Sequence, residues 1–303
     1  MKHANPCTLP AVFVWSLLAV IVSSASCSDT AGGLGQTDSN SAEAQPADSG
    51  GSASRPTSSP GSSQPAGPGG TAECYENIDI VFVLDVSTSM GFILQTLEGE
   101  IGKVWQTAES LDNDPHLGLV VFVDDFTVAA TQPYASMAQL KADFHKWYLH
   151  TSSNLQTQST ASNFDFPENS LDALAAAAQQ FAWRDAQNTL RVIIQATDDT
   201  FLESPGAFQS GVKVAHTYPE SADLLKKAAI RVASFAARLG GPTETENVEA
   251  GFFTDYRGQP SIPQATHGKV FDILQVQGGA ISLTQSINDF VIRESCVIRI
   301  PEP

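Results

Sequence analysis

Positive charge is scarce in this chain: 16 Lys and Arg stand against 33 Asp and Glu, for a formal net charge of −17. So acidic a surface repels phosphate backbones and anionic bilayers. Nucleic acid is therefore excluded as a partner, and a membrane is reached only through a lipid anchor. Long apolar runs are missing as well. The one that stands out, Ala11 to Val22, falls short of the roughly 20 residues that span a bilayer. Familiar catalytic signatures are absent too. There is no GxSxG elbow, no GxxxxGK phosphate loop and no HExxH pair; Gly268-Lys269 lacks the upstream glycine and the following Ser or Thr. The histidines at 3, 116, 145, 150, 216 and 267 show no ligand spacing, and no nucleophile and base stand out as a pair. The expectation is that the chain is not an enzyme.

Cysteine is nearly absent, with 4 in 303 residues. Cys7 falls in the leader and Cys27 at its end, which leaves Cys74 and Cys296 to bracket the rest. In an oxidising compartment that pair is expected to form a disulfide, stabilising by roughly 4–5 kcal/mol through closure of so long a loop. No CxxC or Cys/His cluster points to zinc.

Residues 1–26 have the form of a signal peptide, with Lys2 and His3 ahead of an apolar core and small residues after it. Ser24-Ala25-Ser26-Cys27 resembles a bacterial lipobox, in which Cys27 is lipidated and holds the protein on the outer membrane; Ser24 stands where Leu is usual. The other reading is ordinary cleavage near Ala25 and release of a secreted protein. Residues 27–73 are almost wholly Ser, Gly, Ala, Pro, Thr, Gln and Asp, without an aromatic side chain. Such a composition buries too little apolar area to offset its chain entropy, so a disordered linker is expected before a folded domain at 74–303.

Beyond Cys74 short buried runs alternate with amphipathic ones. Ile78–Leu84, Leu117–Val123, Leu190–Ala196 and Ile230–Ala236 are continuous β-branched and apolar runs, the pattern of strands covered on both faces. Phe126–Ala130 is expected to pair beside the second, and Lys269–Leu274 to be the last core strand. Helical spacing runs from Met90 to Ala108, then over 136–149, 169–182, 221–228 and 284–293. The alternation predicts an α/β fold with a doubly wound, mostly parallel six-stranded sheet flanked by helices. Ligands of such sheets bind beyond the carboxyl ends of the strands, here after Leu84, Val123 and Ala196.

Carboxylates follow those strands. Asp85-Val86-Ser87-Thr88-Ser89 sits between the first strand and the first helix, where an acid and two neutral hydroxyls can converge on one hard cation. This resembles the metal-ion-dependent adhesion site of von Willebrand factor A (vWA) domains, and Thr197-Asp198 after the fourth strand is similar to that family's downstream metal-site Asp, with Trp183-Arg184 before the strand also in keeping. Within the family the chain most resembles the I-like domain of integrin β subunits. Asn163-Phe164-Asp165-Phe166-Pro167-Glu168 matches its N-x-D-x-P-E segment, Phe122-Val123-Asp124 its F-V-D, and Tyr218-Pro219 precedes the next helix as there.

The resemblance implies two cations. Mg²⁺ at the adhesion site would involve Asp85, Ser87, Ser89, Glu168 and Asp198. Ca²⁺ beside it would be held by Asp124, Asn163, Asp165, the Pro167 carbonyl and Glu168. The acids of the integrin β third site are replaced by Gly91, Phe92 and Ile93, so that regulatory cation is not expected; Asp125 and Asp199 are expected on a solvated rim. The family's open metal position takes an Asp or Glu carboxylate from a partner protein. The implied function is thus cation-dependent protein binding or adhesion outside the cell. The alternative is an accessory or structural vWA subunit of an envelope assembly whose metal only holds loops.

Overall fold

The structure, a computed structural model, describes residues 71–299 apart from 165, 244 and 245. The expected signal peptide, Cys27 and nearly all of the expected linker lie outside the described residues.

A six-stranded sheet runs through the centre in the order β4-β3-β2-β5-β6-β7. Its strands are β2 (Asn77–Asp85), β3 (His116–Phe122), β4 (Phe126–Val128), β5 (Thr189–Thr197), β6 (Ile230–Ala236) and β7 (Lys269–Asp272). All pair in parallel except β4, which turns back antiparallel on β3. β2 and β5 at the centre are buried almost end to end, which is why they read as unbroken apolar runs rather than alternating ones. On one face α1 (Gly91–Leu111) packs between α2 (Met137–Thr151) and α7 (Leu283–Ser295); α3 (Ser170–Gln180) packs with α4 (Tyr218–Lys227). Ile93, Leu94, Leu97, Ile101, Val104 and Ala108 form the buried stripe of α1 at helical spacing. The fold is the expected doubly wound, mostly parallel α/β sheet flanked by helices.

Boundaries shift where caps decide them. The integrin-like Tyr218-Pro219 is not ahead of a helix but inside its first turn: Thr217 and Glu220 form a reciprocal capping box, and proline is tolerated where its missing N–H would have no helical partner. The last core strand stops at Asp272, whose side chain accepts from Leu274 N and starts the short α6 (Ile273–Gln277). A four-residue helix, α5 (Ile262–Ala265), also falls in a stretch without periodic signal.

At the other end of the sheet, β1 (Thr71–Cys74) and β8 (Cys296–Arg299) form a separate antiparallel ribbon. β1 takes in Thr71, Ala72 and Glu73, which composition alone assigns to the linker. Cys74 and Cys296 face each other across the ribbon and are joined by the expected disulfide, closing a separation of 222 residues.

Candidate functional site

β2 delivers Asp85 to the carboxyl edge of the sheet and the chain turns at once into a 3₁₀ turn, Thr88–Met90, ahead of α1. Val86 N donates to Phe122 O, which locks this turn against the end of β3. The Asp85 carboxylate is fully buried and clamped on both oxygens: Ser87 N donates to Oδ1 at 2.8 Å, and Thr197 Oγ1 donates to Oδ2 at 2.8 Å. Ser87 Oγ lies 3.2 Å from Ser89 Oγ, and Ser89 Oγ donates to Asp198 Oδ1 at 2.9 Å. The loops after β2 and β5 therefore meet in one polar cluster. Ser89 is exposed and Asp198 half-buried, so the cluster opens to solvent on that side.

Glu168 arrives from the loop before α3. Its N–H donates to Thr200 O, and it pairs in an isolated bridge with Phe201, just beyond β5. Asn163 Nδ2 donates to Glu168 Oε1 at 2.9 Å; Glu168 Oε2 is buried without a hydrogen-bond partner. A buried carboxylate oxygen left without a donor is costly.

Electrostatics shows the same strain. Burial first, then the charge of Asp198, raises the Asp85 carboxyl to about 7 against the help of Ser87 and Thr197. Burial, then Asp85, holds Glu168 well above the usual carboxylate range, with Asp199 and Asp124 adding to the shift. Burial, then Asp85, brings Asp199 to about 8. Among the described residues no Lys, Arg or His is ion-paired with Asp85, Glu168 or Asp199.

The second expected donor set is partly assembled. Asp124, Asn163 and Glu168 are all buried and linked by amides: Gln156 Nε2 lies 3.0 Å from Asp124 Oδ2 and 3.5 Å from Asn163 Oδ1. Pro167 is half-buried beside them, and Asp165 lies outside the described residues. Among the described residues no three His, Cys, Asp or Glu side chains form a group able to hold a metal by themselves. The convergence at Asp85 depends instead on hydroxyls of Ser87, Ser89 and Thr197 interleaved with carboxylates. That mixture suits a hard cation, since Mg²⁺ and Ca²⁺ take oxygen ligands and Mg²⁺ keeps several of its waters.

Two expectations are corrected. Asp199 is not on a solvated rim: it is 7% exposed, and its N–H donates to the Thr197 hydroxyl that serves Asp85. Asp125 is a loop anchor, half-buried, accepting from Thr157 N at 2.7 Å, Thr157 Oγ1 at 2.8 Å and Gln158 N at 2.9 Å. The sequence pattern names Thr197 beside Asp198 but gives its side chain no role, and it does not mark Gln156 at all. Thr197 Oγ1 holds Asp85 Oδ2 from the neighbouring strand; nothing local in Leu155-Gln156-Thr157 marks Gln156, whose role comes from a contact 32 residues away.

No family model matches the chain, and no curated protein matches it. Among solved structures it is similar to proximal thread matrix protein 1 of the mussel byssus. Identity is 16% over 77% of this chain and 50% of that one, with a TM-score of 0.43. The chain thus spans half the length of that protein. It is also similar to an aerotolerance-related membrane protein of Bacteroides fragilis, at 15% identity over 72% of this chain and 100% of that one, with a TM-score of 0.42.

Proposed function

We propose that this chain is an extracytoplasmic vWA-type domain of the integrin β-like kind that binds a divalent cation at the Asp85 end of its sheet. Through that cation it would grip an acidic side chain of a partner protein. The observation that carries the reading is the buried group of Asp85, Glu168 and Asp199, served by neutral donors, with Glu168 Oε2 left without a partner.

Asp85, Ser87, Ser89, Asp198 and Glu168 would hold the adhesion cation, Mg²⁺ by the resemblance. Asp124, Asn163, Asp165, the Pro167 carbonyl and Glu168 would hold Ca²⁺. A bound cation offsets the carboxylate charge and offers an open coordination position to an Asp or Glu of the partner. The chain's own part is to orient the oxygens. Thr197 and the Ser87 amide fix Asp85, Asn163 fixes one oxygen of Glu168, and the exposed Ser89 and half-buried Asp198 leave an approach from solvent. A lipid anchor at Cys27, or simple secretion, would put this face outside the cell, and the acidic surface fits neither nucleic acid nor an anionic bilayer.

The test is thermal. Mg²⁺ or Ca²⁺ at a hundredfold excess over its dissociation constant adds about 2.7 kcal/mol to the stability of the protein that binds it. The melting midpoint is expected to rise on adding either cation to EDTA-treated protein. Asp85→Ala is expected to abolish that rise, and an undiminished response in the variant would sink the assignment.

A further inference from the structure

The donor set implied by the resemblance leaves out Asp199, yet the fold builds Asp199 into the same cluster. Its backbone N–H donates to Thr197 Oγ1 at 3.1 Å, the hydroxyl that donates in turn to Asp85 Oδ2. One residue on, Thr200 O accepts from Glu168 N at 2.9 Å. The chain is thus tied to Asp85 on one side of Asp199 and to Glu168 on the other. The carboxylate itself accepts from Thr200 N at 2.6 Å and, more loosely, from Thr200 Oγ1 at 3.4 Å, both on Oδ1. At 7% exposure it is about as buried as Ser87, at 6%.

A cluster of acids alone would say little, since many are only solvated surface. The independent observation is Glu168 Oε2, buried in this cluster and without a hydrogen-bond donor, on a residue only 1% exposed. Because its Oδ1 is already taken up by Thr200 N and Oγ1, Asp199 is placed to act at a distance rather than as a direct ligand.

We propose that Asp199 is an outer carboxylate of the cation site, which adds negative charge without ligating the ion and so favours cations of higher charge. This rests on the cation reading above, and it goes beyond the donor set that the resemblance supplies. The interaction of a fixed charge with a bound ion scales with the ion's charge. Removing Asp199 therefore weakens a trivalent ion more than a divalent one. A residue that merely shaped the loop would weaken both by the same factor.

The experiment uses Ca²⁺ and Tb³⁺ as probes of the intact folded protein, by calorimetry and terbium luminescence, in wild type, Asp199→Asn and Asp85→Ala. Asparagine keeps the Oδ1 acceptor for Thr200 N and removes only the charge. For Asp199→Asn we expect about tenfold weaker Ca²⁺ binding and about thirtyfold weaker Tb³⁺ binding at unchanged stoichiometry, the exponents standing in the ratio of the two charges. Above pH 8, where the wild-type carboxyl is ionised, the cation-free melting midpoint of Asp199→Asn should exceed that of wild type, because a buried charge is gone. Asp199→Ala, which also drops the acceptor, should show the same change in the Tb³⁺ to Ca²⁺ ratio with a lower melting midpoint than the asparagine variant. Equal losses for the two ions, or no loss at all, would overturn the role of Asp199. If wild type itself binds neither ion, the cation reading fails first, and the two failures are told apart.

Discussion

The two ends of the central sheet carry buried carboxylates and treat them in opposite ways. At the amino ends of the strands, Arg184 reaches Asp79 through Nε at 2.7 Å and Nη2 at 2.6 Å, and Asp112 through Nη2 at 2.8 Å. It also donates to the carbonyls of Ile78 and Asp114. Burial pushes Asp112 up, but the amides of Asp114 and Ile78 and then Arg184 outweigh it, and its carboxyl ends below the usual value. At the carboxyl ends, Asp85, Glu168 and Asp199 receive only hydroxyl and amide donors and sit above it. The same sheet therefore shows what a buried acid looks like when the chain supplies its counter-charge and when it does not. The second case is the one on which the proposed cation site rests.

The comparison breaks most visibly at Arg184. Arg184→Met would leave Asp79 fully buried with its guanidinium gone, and removing one partner of a buried pair costs about 3–5 kcal/mol. Urea denaturation should show that loss with and without Mg²⁺ alike, because the pair lies at the far end from the cluster. A loss that Mg²⁺ repaired would mean that the two ends are coupled. The ribbon of β1 and β8 secures the same end covalently. Cys74→Ser with Cys296→Ser should cost about 2–5 kcal/mol, while the cation-induced rise in melting midpoint keeps its size. A cation response that vanished with the disulfide would show the cluster to depend on the ribbon's order.

How much of this was legible in the residues differs between the ends as well. The core strands were, because a strand buried on both faces must be continuously apolar, as Ile78–Leu84 and Ile230–Ala236 are. The positions of Asp85, Asp124 and Asp198 were, because each follows such a strand. The β1 ribbon was not: Thr-Ala-Glu carries no periodic signal, and its strand exists only by pairing with residues more than two hundred positions away. The depth of Asp199 was invisible for a related reason. Sequence places it at a loop, and only the fold joins the next residue, Thr200, to Glu168 from another part of the chain. Arg184 was noticed beside Trp183 as part of a family pattern, whereas its counter-ions, Asp79 and Asp112, come from elements far away in the chain.

The finest distinction between the ends is their response to pH. Asp85 at about 7 and Asp199 at about 8 hold protons in the folded state that the unfolded chain releases near pH 4. Their contribution to stability is therefore complete below pH 4 and is lost as pH rises through 7 and 8. Asp112 has the opposite sign: its folded value is lowered, so its contribution is present above pH 4 and lost as pH falls through that lowered value. In EDTA, the urea midpoint should accordingly fall between pH 5 and 8.5. With saturating Mg²⁺ the cation takes the place of the protons, and the decline should flatten or reverse, because binding strengthens as the carboxylates ionise. Asp112→Asn should leave both profiles in this window parallel to wild type and alter only the acid limb. A flat profile in EDTA would mean that the carboxylates at Asp85 already have a counter-charge within the chain, and the contrast between the two ends would disappear.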